Sequence, residues 1–297
     1  MEGTPSPRGG QREDVAAASV EVAEMAGNKR VALVTGTTSG LGREVALALA
    51  AQGVHVLAHG RDATRLEAVG AEVRAAGGQV DTYLADLADL SQVRALAEQV
   101  GADHPELAIL VNNAGLGGGP PPHKKREVSA DGYELRFAVN YLAPVLLTRL
   151  LLPRLIAGAP ARVVNVGSVG QAPPDFGDLH MERRYDGADA YFRSKFSLAA
   201  FTFDLADELR STDVHVNCVH PANFMDTFQV REAGITPWTS AAAGVEPVLN
   251  LALGRGGEST GQYFDGTRSS RANSKTYKKS VRQELGKVTE DCLAAFL

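Results

Sequence analysis

The chain has 297 residues, a formal net charge of −5, 44% hydrophobic residues and two cysteines. That length suits one large α/β domain, and the mildly acidic balance excludes a general nucleic-acid binder, which would carry a basic face. Cys218 and Cys292 lie too far apart in sequence for metal-ligand spacing, so no metal is expected, and such sparse cysteine use fits a reducing, cytoplasmic setting.

Residues 1–28 are rich in Gly, Pro, Ala and charge and lack the apolar core of a signal peptide. A disordered tail is expected there, with one short helix from Glu13 to Met25. From residue 29 to 297, apolar strand-like runs alternate with helical patterns. The strands are predicted at 31–35, 54–58, 79–84, 107–112, 162–167, 214–219 and 262–264. The helices are predicted at 41–52, 62–76, 89–101, 131–157, 188–211 and 240–253. Continuous apolar strands alternating with helices predict a single α/β doubly wound (Rossmann) domain, with a parallel seven-stranded sheet and helices on both faces. Ligands are then expected beyond the C-terminal strand ends. The most apolar run, YLAPVLLTRLLLPRLIAG, is broken by Pro144, Arg149, Pro153 and Arg154, which predicts a buried helix and no membrane span.

The handover from the first strand to the first helix reads TGTTSGLGREV, with glycines at Gly36, Gly40 and Gly42. Gly36 permits a tight turn, Gly40 lets backbone approach a ligand, and Gly42 lets the helix pack near the sheet. The free N–H groups of Leu41 and its neighbours, at the positive dipole end, then face an anion, most naturally a pyrophosphate. The hydroxyls of Thr37, Thr38 and Ser39 add donors. A Gly-rich turn without a ligand is the bland alternative, and the strand–turn–helix setting weakens it.

The spacing is Gly-x-x-x-Gly-x-Gly. Together with NNAG at Asn112–Gly115, Asn140 in FAVN, Ser168 in VVNVGS and YFRSK at Tyr191–Lys195, it resembles the short-chain dehydrogenase/reductase family from about residue 30 to at least 265. The resemblance implies a nicotinamide-dependent oxidoreductase. It also implies that Asp86 meets the adenine amino group with backbone help from Leu87. Asn113, Ala114 and Gly115 would wall the adenosine, and Pro221 would border the cofactor. Asp86 before a helix also reads as a turn residue.

The second strand ends VLAHGRD. Gly60 takes the place where a carboxylate would bind a ribose 2′-hydroxyl, and Arg61 follows it. A guanidinium without a competing carboxylate suits a 2′-phosphate, so NADP(H) is expected over NAD(H). Asp62 reads as a helix cap.

Tyr191 and Lys195 lie four apart on one helix face. An ammonium at ~4 Å with an effective dielectric near 20 attracts a phenolate by about 4 kcal/mol, before desolvation. That is expected to lower the phenol pKa toward a value useful for general acid–base work. Ser168 would hold the substrate oxygen. The resemblance gives Lys195 a second role on the nicotinamide ribose. Pro144 has no N–H to give the Asn140 carbonyl, so a kink is expected there, and the resemblance places a proton-relay water at that carbonyl.

The long Ser168–Tyr191 segment, with DL…E-R-Y, and the later GQYFDGTRSSRANSK resemble the retinol dehydrogenase-like branch, which implies an apolar carbonyl or alcohol. The loop at about 221–240 carries Phe224, Met225, Phe228, Ile235 and Trp238. It reads as a substrate lid, or equally as a loop packed on the core or on a neighbouring subunit. Thr227 falls six residues after Pro221, one later than the family pattern, and Ala222 replaces the usual Gly. A C-terminal extension covers about 266–297. The resemblance further implies a homodimer or homotetramer, assembled through the helices bearing Asn140 and Tyr191. An imine or enone reductase, or a non-catalytic dinucleotide sensor of the same fold, are the alternative functions.

Overall fold

A computed structural model describes residues 30–297; the expected tail at 1–28 and the helix at Glu13–Met25 lie outside the described residues. The strands are β1 (Val31–Val34), β2 (His55–Gly60), β3 (Val80–Leu84), β4 (Ile109–Asn112), β5 (Ala161–Val166), β6 (Val214–His220), β7 (Tyr263–Asp265) and β8 (Arg268–Ser270). The main helices are α1 (Gly40–Ala51), α2 (Ala63–Ala75), α3 (Leu90–Asp103), α4 (Leu135–Ala157), α5 (Gly187–Glu208), α6 (Phe228–Glu232), α7 (Val245–Ala252) and α8 (Lys279–Leu293).

The strand order is β3-β2-β1-β4-β5-β6-β7-β8. The first seven are parallel, and β8 pairs antiparallel with β7. The expected seven-stranded sheet therefore gains an eighth strand. Its three residues, Arg268, Ser269 and Ser270, are all exposed, so no apolar alternation marks them in the sequence. The DGT turn, with Gly266 at φ +59°, brings this strand back along β7.

Period-two alternation sends neighbouring strand residues to opposite faces. Leu33, Leu57, Leu110, Val163 and Val216 pack with α3, α4, α5 and α8 on one side. Ala32, Val34, Val56, Ile109 and Val164 pack with α1, α2 and α7 on the other. Among the described residues one helix is long and apolar enough to cross a membrane, Leu135–Ala157, and 78% of its apolar window is buried inside the fold. Both proline-flanked halves of that run thus serve the core, as the sequence predicts.

α8 packs against the π-turn of α4 and against α5. Tyr141 and Thr289 hydroxyls meet at 2.7 Å, and Tyr133 donates to the Cys292 carbonyl at 3.0 Å. Leu285 and Leu293 are buried against this surface, and Arg282 pairs with Asp204 and Asp207 of α5 at 2.9 and 3.0 Å. The chain's own C-terminal helix therefore lies on part of the surface of α4 and α5 through which assembly is expected.

The sheet order reverses between β1 and β4. Their C-terminal ends meet at this switch point, where open α/β sheets bind ligands. Asn113, just after β4, donates through Nδ2 to the Thr35 carbonyl at 2.8 Å and to the Gly36 carbonyl at 3.3 Å, locking the two ends together.

Candidate active site

The glycine turn is built for close approach. Gly36 sits at φ +73°, and a Cβ there would lie 2.8 Å from Ala114 Cα. A Cβ on Gly42 would lie 2.2 Å from the Gly36 carbonyl oxygen, so only glycine lets α1 start beside its own turn. Ser39 is the N-cap residue of α1 and is exposed, yet its side chain makes no capping bond. The first turn of α1, from Gly40 and Leu41, therefore keeps its N–H donors and dipole for an external anion. These features fit a dinucleotide pyrophosphate.

His59 is a residue the sequence reading missed. It is 2% exposed, and its Nδ1 accepts from the Gly36 N–H at 3.2 Å. Its Nε2 lies 3.1 Å from the Ala85 carbonyl, which assigns the ring proton to Nε2. Burial lowers its pKa to about 4, so the neutral ring clasps the glycine turn to the end of β3. The only sequence signal was a histidine at the end of the apolar run VLA.

Arg61 is exposed just past β2. A Cβ on Gly60 would meet Thr38 Cγ2 at 2.3 Å, so the Thr38 methyl fills the space a carboxylate side chain would need. Asp62 caps α2 by accepting from the Arg65 N–H at 3.0 Å, as expected. Asp86 accepts from the Ala88 N–H at 3.0 Å in a turn, while Asp89 caps α3 and Leu87 is buried. Asn112 faces inward, donating to Thr148 Oγ1 at 3.0 Å and Asn165 Oδ1 at 2.8 Å. Ala114 donates its N–H to Thr35 Oγ1 at 3.0 Å. Pro221 is buried at the end of β6.

Tyr191 and Lys195 rise from the first turns of α5, which Asp186 caps. Lys195 Nζ lies 5.9 Å from the Tyr191 ring centroid and donates to the Val166 carbonyl at 2.7 Å. A Cβ on Gly115 would stand 3.5 Å from this Nζ and 3.2 Å from Asn140 Oδ1, so the glycine lets the chain after β4 pass close to the buried ammonium. Burial lowers the Lys195 pKa to about 8.

The Tyr191 phenol departs from expectation. Burial raises its pKa, and the opposing influence is a hydrogen bond with the Ser168 side chain rather than the Lys195 charge. The Val166 carbonyl draws the ammonium instead, and desolvation outweighs the attraction assumed from spacing alone. Ser168 is 8% exposed, accepts from the Gly170 N–H at 3.1 Å through Oγ, and its own carbonyl accepts from Tyr263 Oη at 2.9 Å.

The expected kink at Asn140 takes the form of a π-helical turn over Ala138–Leu142, ahead of Pro144. The Asn140 side chain is fully engaged. Oδ1 accepts from the Leu116 N–H at 2.7 Å, and Nδ2 donates to the Leu116 carbonyl and Ser194 Oγ, both at 2.9 Å. It thereby ties the strand exit after Gly115 to α5.

The 221–240 loop touches the core through Met225, while its aromatic residues stay outside it. Phe228 and Trp238 are each 71% exposed, and Phe224 meets Trp238 edge to face at 4.5 Å. The loop nevertheless reaches the switch point. Gln229 Nε2 donates to the Gly115 carbonyl, and the Thr227 methyl would stand 3.2 Å from a Cβ on Gly40. His220 lies at the end of β6, 3.2 Å from Asn223 Oδ1. In the 123–126 loop Lys124 pairs with Asp186 at 3.0 Å and Arg126 donates to the His180 carbonyl at 2.9 Å, so these charges brace the chain.

Residues 30–235 match the short chain dehydrogenase family model. Retinol dehydrogenase 12 of Homo sapiens is 35% identical over 280 residues, covering 89% of this chain and 86% of that protein. Retinol dehydrogenase 13 of Homo sapiens is 34% identical over 227 residues, covering 75% and 67%. A metagenomic short-chain oxidoreductase solved with NADP superposes with a TM-score of 0.59 at 32% identity, covering 75% of this chain and 90% of that one. A short chain dehydrogenase from Shigella flexneri 2a str. 301, also solved with NADP, gives a TM-score of 0.66 at 27% identity, covering 81% and 98%. Sequence, sheet order and switch-point geometry agree: the chain belongs to the short-chain dehydrogenase/reductase family, in its retinol dehydrogenase-like branch, and is an NAD(P)-dependent oxidoreductase.

Proposed function

We propose that the chain interconverts an apolar carbonyl compound and its alcohol, with NADP(H) preferred over NAD(H). The observation that carries this reading is the convergence of Ser168, Tyr191 and Lys195 beside the glycine turn, with exposed Phe224, Phe228 and Trp238 on the nearby loop. When bound, the nicotinamide supplies or accepts the hydride.

The chain's own residues do the rest. Ser168 Oγ orients the substrate oxygen by a hydrogen bond. Tyr191 Oη gives that oxygen its proton in reduction and removes it in oxidation. A phenol kept protonated by burial is suited to the reductive direction. Lys195 holds a positive charge at the β5 end and restores the proton balance of Tyr191. Asn140 fixes α5 against the Leu116 strand exit, so that these groups keep their spacing. Gly36, Gly40, Leu41, Gly42, Thr38 and Ser39 form the pyrophosphate cradle. Arg61 meets the 2′-phosphate, while Asp86, Leu87, Asn113, Ala114, Gly115 and Pro221 border the rest of the cofactor. The 221–240 loop is the substrate lid of the 29–297 domain.

The substrate is an apolar small molecule, and the proposed location is cytoplasmic, in keeping with sparse cysteine use. The expected assembly is a homodimer or homotetramer. The test is consumption of NADPH and NADH against a panel of aliphatic, aromatic and polyunsaturated aldehydes and ketones. NADPH-linked turnover rising with substrate apolarity supports the reading. Tight NADP(H) binding without turnover on any member contradicts it.

A further inference from the structure

We propose that His55, Asp81 and His104 form a binding site for a zinc-class divalent cation, at the end of the sheet opposite the catalytic cleft. The sequence reading, keyed to cysteine spacing, expected no metal. These three residues are 26 and 23 positions apart in sequence, and only the fold assembles them.

His55 opens β2, Asp81 is the second residue of β3, and His104 ends α3 as its C-cap residue. Glycine turn and catalytic residues all lie beyond the other ends of the strands. His55 Nε2 stands 2.9 Å and His104 Nε2 3.2 Å from one and the same oxygen, Asp81 Oδ2. All three ligand atoms lie within 4.8 Å of one another. In a tetrahedral zinc site with metal–ligand bonds near 2.0–2.1 Å, neighbouring donors are about 3.3 Å apart. Both nitrogen–oxygen spacings already approximate that edge, so binding needs only small side-chain movements.

The His104 nitrogen is also poorly served without a cation. Its Nε2 is shielded from solvent and has no hydrogen-bond partner, despite its closeness to Asp81. A shielded ring nitrogen that lies beside a carboxylate oxygen but out of line for a hydrogen bond to it is a ligand atom left free for a cation. The two rings meet edge to face at 5.2 Å and 84° rather than stacking, and each has its Nε2 beside Asp81 Oδ2. A neutral ring needs no net proton loss to bind, since its proton moves to Nδ1. Asp81 is half-exposed, and Asp81, Thr82, Tyr83, Asp103 and His104 line an open cavity of about 470 Å³ that provides an entry path. Two imidazoles and one carboxylate favour zinc, copper or nickel over magnesium or calcium, and leave a fourth position for water.

Such an ion would staple β3, the edge strand, to β2 and to the end of α3. The test uses full-length, tag-free protein titrated calorimetrically with Zn²⁺ and with Mg²⁺, and Cu²⁺ spectra read for nitrogen hyperfine splitting. The expected result is one Zn²⁺ per chain, no comparable Mg²⁺ binding, and a Cu²⁺ signal split by two imidazole nitrogens. His55→Ala and His104→Ala should each weaken Zn²⁺ at least ~10-fold, while His215→Ala leaves it intact. Zn²⁺ should raise Tm in the wild type and not in His104→Ala, and His104→Ala should retain NADPH-linked turnover. Should His104→Ala fail to fold, Asp81→Asn, which keeps the side-chain shape, decides by the same titration. Absence of stoichiometric Zn²⁺ uptake, or uptake unaltered by these substitutions, overturns the proposal.

Discussion

The Lys195 ammonium donates to the Val166 carbonyl at 2.7 Å, which anchors its charge at the end of β5 rather than on the phenol of Tyr191. Burial lowers this lysine to a pKa of about 8. The charged form therefore predominates below pH 8 and is lost as pH rises through that value. We predict that kcat/KM for NADPH-linked reduction falls above about pH 8. In Lys195→Arg the break should disappear, because a guanidinium keeps its charge, with a lower rate throughout. A pH–rate profile that is flat to pH 10 in the wild type would contradict this.

We predict that Thr38 and Gly60 set the cofactor preference together with Arg61. The Thr38 methyl occupies the space of a side chain at position 60, and Arg61 is left exposed beside it. A charge-assisted contact contributes about 1.5–3 kcal/mol, so Arg61→Ala should raise KM for NADPH by ~10–100-fold. KM for NADH should change little. Equal losses on both cofactors would remove Arg61 from the 2′-phosphate.

His59 links the glycine turn to protein stability. Its folded pKa, about 4, lies below the ordinary value of 6.5, so the fold favours the neutral ring. The associated stability is fully present above pH 6.5, is lost as pH falls toward 4, and is constant below that. The lowering from 6.5 to about 4 corresponds to about 3 kcal/mol. Denaturant unfolding from pH 7 to 4 should show this loss in the wild type and a shallower slope in His59→Gln. Because the turn loses its clasp, His59→Ala should also weaken NADPH binding more than it lowers kcat.

What was legible in the sequence was whatever local pattern and spacing encode. Strands β1–β7 and helices α1–α5 and α7 followed from apolar periodicity, and the glycine turn from its place between β1 and α1, whereas α6 and α8 were not foreseen as helices. β8 escaped because three exposed polar residues carry no burial signal. His59 and the His55–Asp81–His104 cluster escaped because their partners come from distant strands. The Tyr191 acidity was misjudged because spacing gives proximity but not desolvation, and burial dominates at that site. The packing of α8 against α4 and α5 depends on contacts such as Tyr141 to Thr289, which no local pattern specifies.

Phe224 and Trp238 form the exposed aromatic end of the 221–240 loop. If they close over substrate, Trp238→Ala should raise KM about 10-fold for a long or aromatic aldehyde, the equivalent of about 1.4 kcal/mol of lost apolar contact. KM for a two- or three-carbon aldehyde should stay within about twofold. Uniform loss on both would assign the pair to loop folding instead.

Proton transfer by Tyr191 is tested most directly by Tyr191→Phe, assayed for single-turnover reduction of a responsive carbonyl alongside NADPH binding by fluorescence. The substitution removes one oxygen and leaves the ring packing in place. We expect the rate to fall by at least ~10²-fold while NADPH affinity stays within a few-fold of the wild type. A variant that reduces the carbonyl at the wild-type rate would show that the proton comes from another group.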